Sequence, residues 1–310
     1  MSYPRLRAFI FLVSLGIFAL TACHAPKIES LAVTPLNFAT ITGFPFPDSS
    51  NVTVIQDIPY AGTTDPEQTL DIYLPKGKYL VYPRPVPLVV FIHGGGWAEG
   101  NKSFPLALGL IEKGYAIASL NYRLTGNAIF PAQLDDCKAA IRWLRGNAGN
   151  YSIDPNRIGV WGLSAGGNLA ALLGTTGNKA NGTEGAYTQY SSKVQAVCDW
   201  YGPSDFSAPR EKLSSYALEA ASKFLGGDFE HLGKKASPVT YVSSQTCPFL
   251  LIHGGNDHVV PLSQSQELYD KLKAAGVDVS LLIMPVEEHG FKNAQACQAS
   301  CDFFRSIFDM

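Results

Sequence analysis

From Val52 onward, short apolar runs alternate with longer stretches of helical spacing. VTVIQDI, LDIYLP, PLVVFIH, YAIASLNY, RIGVWG, VQAVCDWYG, PFLLIHG and VSLLIMP have the length and the β-branched and aromatic content of strands. Helices are predicted near residues 104–112, 131–147, 165–174, 263–275 and 292–308, with Pro131 opening one and Gly174 closing another. The central runs are apolar at consecutive positions, as in strands covered by helices on both faces. Two antiparallel-looking strands followed by repeated strand–helix units predict an α/β fold with a mixed, mostly parallel sheet of eight strands. Residues 204–245 break the alternation. They are too irregular for one crossover helix and are expected to form a small cap over the C-terminal edge of the sheet, where substrate would be selected.

The first residues follow a different pattern. Arg5 and Arg7 precede an apolar stretch from Ala8 to Leu20, too short to span a bilayer comfortably and typical of an export signal. It ends in Leu20-Thr21-Ala22-Cys23, which resembles the lipobox of bacterial lipoproteins. On that reading residues 1–22 are a signal peptide and Cys23 carries the lipid. Residues 23–50, rich in Pro, Thr and Ser, would be a tether, and residues 51–310 the catalytic domain. The expected location is the bacterial cell envelope, with the membrane reached through Cys23.

Composition fits a globular domain: 310 residues are 46% hydrophobic and 16% charged. A formal charge of −2 without a Lys/Arg cluster gives no electrostatic footprint for nucleic acid. Small molecules or neutral polymers are better candidates. Beyond Cys23 the cysteines are Cys137, Cys198, Cys247, Cys297 and Cys301, an odd number whose pairing the sequence leaves open. Cys297 and Cys301 share a helix face and are equally readable as a strained pair or as two buried thiols. No metal site or cofactor is expected, since no ligand spacing for zinc occurs.

Candidate chemistry centres on Gly162-Leu163-Ser164-Ala165-Gly166, a G-x-S-x-G motif. Alone it would arise by chance in roughly one chain in ten, but a strand-like run precedes it and a helix-like run follows. Such a turn holds the serine in strained geometry, and side chains two residues to either side would strike neighbouring backbone. Gly167 gives strand and helix further room. A serine hydroxyl needs a base, and the base needs an orienting group. His289 follows the run VSLLIMP and Asp257 follows PFLLIHG, so both should emerge at the same sheet edge as Ser164. Asp278, Glu287 and Glu288 compete with Asp257, but Asp278 precedes its strand and the glutamates almost adjoin His289. The His93-Gly94-Gly95-Gly96 turn offers an oxyanion hole, with the N–H groups of Gly94, Gly95 and Ala165 as its donors. His93 is expected to fix that loop. His253 is assigned to the core, His258 to a supporting position behind the site and His231 to the cap. Neither Gly-rich loop carries the Lys-Ser/Thr of a P-loop or the spaced glycines of a dinucleotide site.

Through HGGGWAEGNK, NYRL, FPAQLDDCKAAIRWLR, DPNRIGVWGLSAGGNLAALL, PFLLIHGGNDHVVP and EEHGF the chain resembles α/β-hydrolase esterases. It is most similar to the bacterial group called BD-FAE or carboxylesterase-like lipoproteins, over about residues 52–308. The resemblance implies the α/β-hydrolase fold and serine-dependent hydrolysis of carboxylic esters, with short acyl or aryl-acyl groups, including acetyl and feruloyl groups on polysaccharides, as substrates. Asn168 stands where many relatives have histidine, which bears on the subfamily. Trp97, Trp200 and Tyr201 follow strand ends and are candidates to line an acyl or sugar pocket, core packing being the alternative. The competing functions are amide hydrolysis, as in an arylformamidase or peptidase, and a non-catalytic binding module.

Overall fold

The eight apolar runs pair into one sheet with the order β1-β2-β4-β3-β5-β6-β7-β8. The strands are β1 (Val52–Pro59), β2 (Thr69–Pro75), β3 (Val86–Ile92), β4 (Ala116–Leu120), β5 (Ile153–Leu163), β6 (Ala196–Trp200), β7 (Phe249–Gly254) and β8 (Val279–Met284). The computed structural model describes residues 47–83, 85–103, 105–177, 186–207 and 213–309. β2 pairs antiparallel with β1 and β4, and every pairing from β4 to β8 is parallel. This is the mixed, mostly parallel sheet that the strand pattern predicts.

Every residue of β3, β4, β6 and β7 is buried, whereas β1 and β8 at the two edges alternate with exposed positions. Covering both faces removes any reason for a polar alternate, so the interior strands read as unbroken apolar runs. Alternate residues nevertheless serve different layers. Leu88, Val90 and Ile92 of β3 join one core cluster, and Val89 and Phe91 join the other. Burying each such side chain stabilises the fold by about 1.5–3 kcal/mol.

The helices are α1 (Ala132–Gly146), α2 (Ala148–Tyr151), α3 (Ala165–Thr176), α4 (Ser215–Phe224), α5 (Phe229–Leu232), α6 (Leu262–Ala274) and α7 (Ala294–Phe308). Apolar residues of α1, α3 and α6 fill the first cluster, and those of α7 the second. The predicted helix at 104–112 is instead a 3-10 helix, Leu106–Lys113, ended by Gly114 at φ 87°. Gly174 does not close α3 but lies inside it: a Cβ there would come within 2.4 Å of Val197 and 2.8 Å of Phe249, so the glycine lets helix and sheet meet. Gly177, at φ 52°, ends the helix instead.

Residues 204–245 interrupt the strand–helix alternation as expected, and their described part carries α4 and α5. Of the tether expected for residues 23–50, only 47–50 lie among the described residues; there Pro47 is buried and the Asp48 N–H donates to the Tyr79 hydroxyl at 3.0 Å. The expected signal peptide, residues 1–22, and Cys23 lie outside the described residues. All five described cysteines are buried free thiols, Cys297 and Cys301 among them.

Candidate active site

β5 ends at Leu163 and α3 begins at Ala165, which leaves Ser164 as the single residue of the turn, at φ 53° and ψ −115°. The flanking glycines are required by distance. A Cβ on Gly162 would lie 2.0 Å from the Gly166 carbonyl oxygen, and one on Gly166 would lie 2.2 Å from that of Ile92. Strand and helix therefore close on the Ser164 turn with no space for side chains. The Ser164 N–H is held by the Trp200 carbonyl at 2.8 Å, which ties the turn to β6.

Two loops bring partners to Ser164. Asp257, beyond β7, and His289, beyond β8, reach the same sheet edge as the serine. Ser164 Oγ lies 2.8 Å from His289 Nε2, and His289 Nδ1 lies 2.7 Å from Asp257 Oδ2. A carboxylate only accepts, so His289 Nδ1 carries the proton and Nε2 is free to accept from the serine hydroxyl. Asp257 Oδ1 accepts the N–H groups of Val259 and Val260 at 2.8 and 2.9 Å. Burial opposes its charge, but hydrogen bonds from His253 and His289, with Val259 N–H and the charge of His289, hold the Asp257 carboxyl far below the usual range. Asp278, Glu287 and Glu288 make no contact with His289 of this kind.

Gly94, Gly95 and Gly96 form the wall facing Ser164. Gly95, at φ 110°, could not carry a side chain, since a Cβ would fall 2.2 Å from the Glu99 carbonyl oxygen. Its own carbonyl turns away to accept from Ala98 and Glu99. Ala165 is the first residue of α3, so its N–H has no partner within the helix. His93 fixes the loop: its ring stacks on Tyr122 at 4.4 Å, and Nδ1–H donates to the Gly94 carbonyl at 2.7 Å. Burial lowers its pKa to about 4 against the pull of that bond, leaving it neutral.

A cavity of about 300 Å³ opens over Ser164, and its walls are mainly apolar. Trp97 and Tyr201 line it, as the sequence suggests. Trp200 does not: its indole is fully buried in the same core cluster as Tyr201 but away from the cavity, donating to Ser300 Oγ of α7 at 2.9 Å and stacked on Phe291. β6 ends at Trp200, and Tyr201 follows it at φ 46°, a turn that brings its ring to the cavity wall while Trp200 stays packed against α7. The Tyr201 ring meets His289 edge-on at 4.8 Å, and Trp97 stacks on Phe224 of α4 at 4.2 Å. Gly96, Phe206, Leu213, Tyr216, Ala217 and Ala220 complete much of the wall, and sequence reasoning had not singled them out. The third glycine of the turn was the available signal for Gly96; the cap residues offered none. Asn168 is buried in α3, where its amide donates to the carbonyls of Pro203 and Ala236 and so ties the helix to both ends of the cap. His231 is exposed on α5, and His258 is exposed rather than behind the site.

The BD-FAE family model matches residues 70–272. Among curated relatives, esterase LipQ of Mycobacterium tuberculosis is 29% identical over 92% of the chain, and esterase LipC of the same organism is 32% identical over 73%. The chain spans 70% of LipQ but only 58% of LipC. A solved carbohydrate esterase from gut microbiota, in truncated form, superposes with a TM-score of 0.74 at 31% identity, covering 83% of this chain and 97% of that one. An acetyl ester-xyloside bifunctional hydrolase from Caldicellulosiruptor lactoaceticus gives 0.68 at 29% identity, covering 81% and 96%. Fold, motif and similarity agree over the same residues, and the chain belongs to the BD-FAE family of α/β-hydrolase-fold esterases.

Proposed function

We propose that this protein hydrolyses short acyl or aryl-acyl esters, acetyl or feruloyl groups on polysaccharides among them, with Ser164 as nucleophile, His289 as base and Asp257 as its orienting acid. The observation that carries this reading is the unbroken chain of hydrogen bonds from Ser164 through His289 to Asp257 at the floor of the apolar cavity. Ser164 Oγ attacks the ester carbonyl carbon while His289 Nε2 takes the hydroxyl proton. The carbonyl oxygen becomes an oxyanion facing the N–H groups of Gly94, Gly95 and Ala165. Each such donor is typically worth about 3–4 kcal/mol in the transition state. Collapse breaks the bond to the alcohol, which leaves with the proton from His289. Water then repeats the sequence on the acyl-serine, releasing the acid and restoring the hydroxyl.

The apolar wall from α4 and Trp97 suits the acyl or aryl part of the ester. Two solved structures similar to this chain are named for a carbohydrate esterase and an acetyl ester-xyloside hydrolase, which supports a sugar alcohol on the other side. The N-terminal pattern adds a lipid on Cys23 and a place in the cell envelope. Turnover of aryl acetate, aryl butyrate, methyl ferulate, acetylated xylan and an anilide tests the reading. Ester hydrolysis that requires Ser164 supports it, whereas cleavage of the anilide alone would assign an amidase. For the anchor, mass spectrometry of the mature N-terminus should find diacylglycerol on Cys23, and an unmodified product starting elsewhere would refute it.

A further inference from the structure

His253, the fifth residue of β7, is fully buried and plays no part in the steps above. Its Nε2 lies 2.8 Å from the Val260 carbonyl oxygen and 3.2 Å from Asp257 Oδ2. Both oxygens accept, so Nε2 carries a hydrogen and shares it between them. Nδ1 lies 2.7 Å from the hydroxyl of Ser265 in α6, a buried side chain that can donate to it. A neutral ring satisfies all three contacts. The turn bearing Asp257 is thereby closed twice on one residue: the Val260 N–H binds Asp257 Oδ1, and the Val260 carbonyl is held by His253. Asp257 Oδ2 in turn receives two imidazole N–H groups, one from His289 and one from His253.

From this geometry we infer that His253 is a positioning residue, whose Nε2–H fixes both the Asp257 carboxylate and the turn that carries it, so that Oδ2 is aimed at His289 Nδ1. The inference rests on the proposed role of Asp257. A carboxylate at the tip of a loop can rotate about two side-chain bonds. Here the two N–H groups on Oδ1 and the two rings on Oδ2 leave it one orientation. The fixed points are structural, since His253 belongs to the central sheet and Ser265 to a helix packed on it.

Replacing His253 by Leu keeps volume and removes the donor, whereas His253→Gln keeps an N–H at a similar reach. The Leu variant is expected to lose about 10- to 100-fold in kcat on an aryl acetate with KM little changed, because small errors in the position of a reacting group have effects of this size. The Gln variant should recover most of that loss. The low-field proton resonance of His289 Nδ1–H, seen by NMR without substrate, should move upfield or broaden in the Leu variant and return in the Gln variant. Unchanged kcat and resonance in the Leu variant would overturn the inference. So would equal losses in both variants with the resonance unmoved, the pattern of a core filler. Should the Leu variant not fold, Ser265→Ala removes one hydroxyl from the same chain and should shift the resonance with a smaller loss in kcat; no change in either would then refute the inference. A wild-type protein that hydrolyses nothing would end the functional reading while the spectra still decide this one.

Discussion

Ser164 sits at a positive φ that a side chain rarely adopts, and the fold sustains it by stripping side chains from its neighbours. The motif made that legible, because each glycine answers a backbone contact near 2 Å. Asp257 and His289 were equally legible from their places after apolar runs. Trp200 and Tyr201 were not separable, because both rings pack on Phe291 and only the end of β6 at Trp200, with Tyr201 turned at positive φ, decides which one meets the pocket. His253 was legible as core and no further, since its partners come from residues 257, 260 and 265 once folded. Asp257→Asn should lower kcat about a thousandfold or more with the fold intact, since an amide can donate to His289 and favour the wrong tautomer; steady-state kinetics beside circular dichroism would check it, and a loss under tenfold would exclude the orienting role. Gly166→Ala should abolish activity or soluble expression, because its Cβ meets the Ile92 and His93 carbonyls.

At the scale of elements, the interior strands and α3 could be read because burial on both faces leaves an unbroken apolar signature. The stretch at 106–113 misled as a helix because it is apolar and short, and one tight 3-10 segment satisfies the same composition. The cap was located by its break in rhythm, but its contacts were not. α4 supplies Tyr216, Ala217 and Ala220 to the cavity, so side-chain size there should set acyl length. Ala217→Phe is expected to lower kcat/KM for aryl butyrate at least tenfold while leaving aryl acetate within about threefold, on the scale of a few methylenes in an apolar pocket. Equal effects on both esters would show that the acyl group lies elsewhere. Asn168→Ala should lower stability by about 1–3 kcal/mol, since the Pro203 and Ala236 carbonyls would lose their shared donor; urea unfolding measures this.

Across the whole molecule, two buried carboxyls pull the pH dependence of stability in opposite directions. Asp199 is fully buried, and burial pushes its carboxyl up to about 7 against the Gly202 N–H and His253. A carboxyl that protonates more readily folded than unfolded stabilises fully below about pH 4, and that contribution is lost as pH rises through about 7. Asp257, held low, contributes above about pH 4 and loses its share as pH falls further. Melting temperatures of the wild type and Asp199→Asn should therefore be close at pH 4 and separate by pH 8, with the variant the more stable. Parallel curves would show that Asp199 keeps an ordinary carboxyl. The sequence could not disclose this, because burial of an aspartate in β6 depends on both faces being covered. Whether Ser164 Oγ takes the acyl group is decided by rapid quenching of the protein with an aryl acetate, followed by peptide mass spectrometry. One acetyl group on Ser164, appearing before steady turnover and absent from Ser164→Ala, is the predicted result. Ester hydrolysis that persists in that variant, or acetyl found on another residue alone, would contradict it.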